Sequence, residues 1–409
     1  FILKNVFGHI PFVDENTPDA DYETTPNTLP NDEQWQKIAA DFKKAYDLLP
    51  ATQAQKGRAT KAAAAAYLAK TYLYKAYRQS ENNSVTGINS QDLQEVLTYT
   101  SAVLGSTYGL EEDFAFNFLP GGYENGKESL FAVQYSVDDG TQYGSLNWGD
   151  QLSTPQKLGC CDFHKPSQNL VNAFKTVNGL PDFDNFNNND YNAANDKADP
   201  RLFHTVALPG LPYKYNTELI YKNDWNRNSN VYGFYASLKE NVDPSCSCFR
   251  NINPFRANSK NRIVIRYADV LLMRAEALIE LNRSNEALPL INQVRQRAKQ
   301  STSMIPYATN ADIALYQDGV NITWNQENAR KALRWERRLE FAMEGSRFFD
   351  LVRWGIADQV LNDYFTKEKT RRPAIFSNAY FTKNKNEYIP IPQNQIGYVK
   401  GIYKQNAGF

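Results

Sequence analysis

The residues able to do chemistry are few and scattered. His9, His164 and His204 lie far apart, and no H-E-x-x-H pattern pairs two of them on a helix face, so a zinc hydrolase lacks its ligand set. No G-x-G-x-x-G or G-x-x-x-x-G-K-[ST] loop is present to cradle a dinucleotide or a nucleotide phosphate. The G-x-S-x-G elbow is missing too, and although a Ser–His–Asp triad can assemble from distant positions, nothing here selects one. The cysteines form two close pairs, Cys160 with Cys161 and Cys246 with Cys248. Neither pair has the two-residue spacing of a zinc site, so loop thiols are the default expectation. Bridges between the pairs would fit an oxidising compartment, whereas a bridge between neighbours strains the backbone.

Carboxylates are the remaining candidates, since sugar hydrolysis needs only two of them. Glu111, Glu112 and Asp113 are consecutive and read as loop-opening caps. Glu336, Arg337, Arg338 and Glu340 mix both charges over five positions, which fits salt bridges flanking a core better than catalysis. Asp182, Asp184 and Asp190, with Asn187, supply hard oxygen atoms and make a weak Ca2+ site candidate. Their spacing misses the EF-hand loop, because position 186 is Phe and no glycine follows at the turn; a solvated Asn/Asp loop is the alternative.

What the chain has in quantity is binding chemistry: 42 Asn, 25 Tyr, 23 Phe and 6 Trp. Amides and phenols offer hydrogen bonds, and rings offer flat apolar faces, which suits a surface meeting polar, uncharged ligands. An extracellular protein rich in Asx turns would share this composition. Lys+Arg and Asp+Glu both number 45, so no global field attracts nucleic acid or an anionic membrane. No run of apolar residues reaches the length of a transmembrane helix.

The elements that must position these residues are mostly helical. Residues 32–49 carry an apolar stripe from Trp35 to Leu49, with Asn31 or Asp32 as a cap and Pro50 as a stop. The Ala-rich stretch 58–79 and residues 91–104 continue the pattern. Residues 261–282 pass from a short strand into a helix, and 285–299 form its antiparallel mate. Leu271, Ala275, Leu278, Ala287, Ile291 and Val294 fall at the spacing of a tetratricopeptide hairpin, in which small residues sit where two helices touch. Residues 325–354 read as a helix packed on several sides, bending or breaking near Gly345, with Glu344–Arg347 and Asp350–Arg353 as pairs. Residues 128–137 read as a short strand, 138–154 as an exposed loop carrying Tyr143 and Trp148, and 167–177 as a helix capped by Ser167. From 178 to about 260 the chain is mostly irregular. Residues 378–409 read as coil, with Tyr388-Ile389-Pro390-Ile391-Pro392 an extended segment closing over the helices. Organisation is therefore expected as a single unit over 1–409: a helical scaffold (32–104 and 261–354), a loop-rich variable lobe (120–260) and an extended C-terminal closure (378–409). The opening FILKNVFGHIPFV looks like the end of an element, which suggests that residues upstream are missing.

Seven segments in order resemble one family. They are LKNVFGHIPFVDE, GRATKAAAAAYLAKTYLY, PSQNLVNAFKTVNGLP, DPRLFHTVALPGLPYKY, IRYADVLLMRAEALIELN, RWERRLEFAMEGSRFFDLVRWG and NEYIPIPQNQI. Together they resemble the SusD/RagB family of Bacteroidetes outer-membrane nutrient-binding lipoproteins. The resemblance implies a mainly α fold, with tetratricopeptide-like helical pairs supporting a variable lobe that has a few short strands. It implies a lipid-anchored cell-surface protein that captures a glycan without catalysis and passes it to a SusC-like TonB-dependent transporter. The rival expectations are a polysaccharide hydrolase and a peptide-binding helical-repeat assembly protein.

On that basis exposed rings of the lobe are expected to stack on sugar faces while neighbouring polar groups bind the hydroxyls. Trp148 and Tyr143 are the first candidates. Trp225 and Tyr221 follow, with Asn223, Asp224 and Arg227, and then Tyr213, whose PYKY segment is equally open to a structural role. Trp335 and Trp354 are expected in the core.

Overall fold

The computed structural model describes residues 1–159, 161–252 and 255–409. A short helix, α1 (Ile2–Phe7), leads through an irregular stretch to α2 (Asn31–Leu48), α3 (Lys61–Ala76) and α4 (Ser90–Leu104). The α2 start differs from expectation: Asn31 and Asp32 lie inside the first turn, Pro30 occupies the cap position, and no side chain caps it. Pro there supplies a fixed φ at an end whose N–H groups are unpaired in any case. α3 and α4 do have side-chain caps, Thr60 Oγ1 accepting from Ala63 N and Asn89 Oδ1 from Asp92 N. The Ala62–Ala66 run is buried, so α2 and α4 approach α3 from two sides without large side chains keeping them apart.

The second scaffold piece is a helical hairpin, reached after three short helices, α5 (Gln168–Ala173), α6 (Arg201–Thr205) and α7 (Ser229–Tyr232). α8 spans Tyr267–Glu280 and α9 spans Ser284–Gln300, and they pack as neighbours. Ala275 and Ala287 are both fully enclosed in the same core, together with Leu271, Leu278, Ile291 and Val294. α8 also packs on α4 and on α10 (Gln326–Glu340), which joins the two scaffold pieces through one core. After α10 the chain breaks over residues 341–346, with Met343 and Gly345 in left-handed conformations, and resumes as α11 (Arg347–Arg353) and then α12 (Ala357–Arg371).

Strands are short and paired two or three at a time. The pair most involved with the scaffold is Ser129–Val133 with Arg262–Arg266, antiparallel, the second strand running directly into α8. Among the described residues, the stretch 175–258 holds strands of two to five residues, the short helices α6 and α7, and brief turns. A second core ties this stretch to α10: Val171, Phe174, Leu202, Phe203 and Val206 pack with Leu339 and Ala342. Trp335 donates its indole N–H to Ala173 O at 3.1 Å and meets the edges of Phe183 and Phe186, while Trp354 is buried. At the other end, Tyr388 and Ile391 are buried. Ile389 N donates to Val6 O at 3.0 Å, so the C-terminal segment closes against α1.

Glu336, Arg337 and Glu340 of α10 enter a buried ion network. Glu336 meets Arg201 at 2.6 Å and Arg295 at 3.0 Å. Glu340 meets Arg201 at 2.9 Å and Arg266 at 2.5 Å and also pairs with Arg297, while Glu128 takes Arg266 at 2.7 Å and Arg297 at 2.6 Å. Arg337 bridges Asp269 and Asp350, both at 2.8 Å. Among the described residues no carboxylate pairs with Arg338. It reaches Asn169 Oδ1 at 2.5 Å and lies over the rings of Phe186 and Trp335. The Asp350–Arg353 pair forms at 2.9 Å, but Glu344 turns away from Arg347 and binds Lys239 and Arg266, because the break at 341–346 removes the helical spacing.

Candidate functional site

The chemistry of the carboxylates is settled by their partners. Glu336 and Glu340 of α10 are paired with arginines in the interior. Asp182, Asp184 and Asp190 do not converge, which corrects the expected Ca2+ site. Asp182 caps its own turn by accepting Asn185 N, Asp184 meets Lys331 at 2.6 Å, and Asp190 is taken by Arg371 and Asn172. Among the described residues no group of three or more His, Cys, Asp or Glu could hold a metal ion. The cysteine default is corrected as well: Cys246 and Cys248 form a disulfide with each other, and Cys161 is also disulfide-bonded, while Cys160 lies outside the described residues.

The expected ring residues divide into two sets. Tyr213, Tyr221 and Trp225 are buried against one another, with ring centres 5.4 to 5.9 Å apart. Burial pushes the Tyr213 and Tyr221 hydroxyls far above their ordinary range. This corrects the expectation that they present open faces. They form the wall behind the turn, and the Tyr221 hydroxyl donates to Asn226 Oδ1 at 2.8 Å to hold it. Trp148 and Tyr143 are open, at 44% and 51% exposure, and Asn223, Asp224 and Arg227 are exposed at the turn in front of the buried rings.

One connecting segment links the open rings to that turn. Trp148 starts the short 3-10 turn Gly149–Ser153, and Leu152 O then accepts Phe163 N at 2.7 Å and His164 N at 2.9 Å. Asp162 N donates to Thr154 O, and the Asp162 carboxylate accepts Lys165 Nζ at 2.5 Å and Arg227 N at 2.6 Å. His164 Nδ1 lies 2.9 Å from Glu240, whose carboxylate, like that of Asp150, is shared with Arg262. The hydrogen bond to Glu240 pushes the His164 imidazole upward. The segment is thus bolted to the strand that feeds α8.

Sequence reasoning missed two residues of this surface. Phe163 is 63% exposed and Tyr232 44% exposed, on either side of Arg227. Their only signal was a large ring in a polar, non-periodic stretch. A groove of about 770 Å³ lies elsewhere, between α1, α2 and α3. Its lining of Ile2, Leu3, Phe12, Ile38, Phe42 and Ala63 offers a sugar almost no hydrogen-bond partners.

A helical-pair frame carrying such a ring-bearing lobe has known counterparts. The chain belongs to the SusD family, whose profile matches residues 127–409, and a second profile described as starch-binding associating with outer membrane matches residues 1–73. SusD-like protein P2 of Formosa agariphila is 26% identical over 415 residues, covering all of this chain and 71% of that protein. A SusD-like protein of Bacteroides ovatus is 27% identical over 383 residues, covering 90% of this chain and 59% of that one. Among solved structures, a SusD-like carbohydrate binding protein from Bacteroides fragilis superposes with a TM-score of 0.72 at 23% identity, over 98% of this chain and 76% of that chain. A laminarin binding SusD-like protein gives 0.64 at 21%, over 100% and 75%. As a SusD-family protein the chain binds glycan at the cell surface, without catalysis, and works with a SusC-like TonB-dependent outer-membrane transporter. The family is lipid-anchored at the outer membrane, and no described helix is long and apolar enough to cross a membrane.

Proposed function

We propose that this protein takes its glycan on the rim of the lobe that runs from Tyr143 and Trp148 through Phe163 to the turn at Asn223–Arg227. One observation carries the reading: four rings on this rim are open to solvent, while Tyr213, Tyr221 and Trp225 are buried behind it and brace it. A pyranose face of axial C–H groups settles on a flat ring, and the amide and carboxylate of Asn223 and Asp224 hydrogen-bond hydroxyls directly or through water. Net gain per hydrogen bond is small because both sides are hydrated beforehand. A modest site suffices, since tethering beside the transporter mouth keeps the local ligand concentration high. Relatives of the same fold bind laminarin or were crystallised with a xylogluco-oligosaccharide, which supports the ligand class and leaves the individual sugar to be found. The test is a glycan-array screen of the purified chain with a reducing-end assay on every hit. The expected result is binding to a related set of glycans with no new reducing ends. Silence across the array, or release of reducing sugar, overturns the reading.

A further inference from the structure

Arg227 is an exposed cation held between two open rings. Its guanidinium carbon lies 5.1 Å from the centre of Phe163 and 5.7 Å from that of Tyr232. Among the described residues nothing accepts a hydrogen bond from that guanidinium and no carboxylate pairs with it; the one bond Arg227 donates comes from its backbone. Asp162, the acid whose charge it feels, is buried and already engaged by Lys165 and by that backbone N–H.

The arrangement is built rather than incidental. Phe163 is fixed by its backbone bond to Leu152, and Arg227 by its bond to Asp162. Tyr232 ends α7, which starts after Asn228 at φ 40° and stops at Gly233 at φ 94°. Gly233 takes a positive φ that side-chain-bearing residues rarely adopt, so glycine closes this turn without strain. A planar guanidinium with free donors accepts a carboxylate or sulfate group through two parallel hydrogen bonds. The two neighbouring rings take the place of some of the water around the fork and strengthen that contact. They also offer the apolar faces on which a sugar ring rests.

The geometry points to a subsite for an anionic sugar, one bearing a carboxylate or a sulfate ester, with Arg227 as its charge anchor and Phe163 and Tyr232 as its walls. This rests on the reading that the lobe captures glycan and adds the ligand class.

The experiment is calorimetric titration of the whole chain with two matched pairs: oligogalacturonate against its carboxyl-reduced form, and a sulfated galactan oligosaccharide against its desulfated form. The chain should bind at least one charged member about tenfold more tightly than its neutral twin, the size of one charge-assisted contact. Which pair shows the gap separates carboxylate from sulfate. Raising salt from about 50 to about 500 mM should narrow the gap. Arg227→Gln should close it to within about twofold without changing the melting temperature, and Arg227→Lys should restore part of it. Equal affinity within both pairs, no binding to any of the four, or a gap that survives Arg227→Gln overturns the subsite. Glycan-array binding would stand in each of those cases, so loss of the subsite and loss of the capture function are told apart.

Discussion

The carboxylate of Asp162 accepts the backbone N–H of Arg227 at 2.6 Å, tying the segment that carries Phe163 to the turn that carries the guanidinium. Its other oxygen holds Lys165 Nζ at 2.5 Å, and both side chains are buried. Removing the carboxylate strands the ammonium, the situation that costs about 3–5 kcal/mol in a buried pair. Asp162→Ala should therefore lower the urea midpoint by a corresponding amount and weaken glycan binding at the same time. A variant with unchanged stability would show that the tie is not structural.

The ion network on α10 predicts acid sensitivity. Burial alone would raise the Glu276 carboxyl, but Arg353 and its neighbours outweigh burial and hold it down to about 2. Burial opposes ionisation of Glu340 as well, and Arg297, Arg266 and Arg201 carry it well below the usual carboxylate range. Depressed carboxylates give stability that is present above an ordinary value of about 4.3 and lost as pH falls through the folded-state values. The carboxylate contribution should hold down to about pH 5 and then fall steeply. Glu340→Gln, which leaves three arginines short of charge, should cost about 3–5 kcal/mol at neutral pH. Melting curves between pH 3 and 7 check both.

Two histidines should act with opposite signs. Burial pushes His204 down to about 4; its nitrogens face Ser301 O and the Tyr215 hydroxyl. Protonation then favours the unfolded chain, so this contribution is complete above about pH 6.5 and shrinks as pH drops towards 4. His164 is raised by its bond to Glu240, so its contribution is present below about pH 6.5 and fades as pH rises through the folded value. It is half-exposed, and solvent keeps the effect small. His204→Gln should flatten the loss of stability between about pH 6.5 and 5, and His164→Gln should remove a slight decline above pH 7. Profiles indistinguishable from the parent would contradict the assignment.

The α8–α9 contact depends on small side chains. Ala287 is fully enclosed, and enlarging it to leucine should cost about 1–3 kcal/mol by forcing the helices apart. Denaturant unfolding of Ala287→Leu, compared with the same change at a solvent-facing position of α9, tests the packing directly.

How far the sequence reaches can be read from individual residues. Apolar spacing placed α3, α4, α8 and α9 closely, and Gly345 marked the break before α11, since these features are local. Partner choice in the ion network was not legible, because Arg201 and Glu336 lie 135 positions apart and charge spacing within one helix says nothing about them. The ring surface was partly legible. Trp148 and Trp225 look alike in sequence, each a tryptophan in a polar stretch, yet one lies open and the other is packed by Tyr213 and Tyr221. Exposure of a ring depends on what folds against it, so nothing in the sequence set Phe163 and Tyr232 apart from the rings that are buried.

The most direct test is calorimetric titration of the strongest array glycan into the parent chain and into Trp148→Ala, Phe163→Ala and their double variant. Loss of at least about fivefold in affinity for each single change, greater loss in the double, and melting temperatures within about a degree of the parent are predicted. Parental affinity in the folded double variant would place the glycan elsewhere on the molecule and contradict the account.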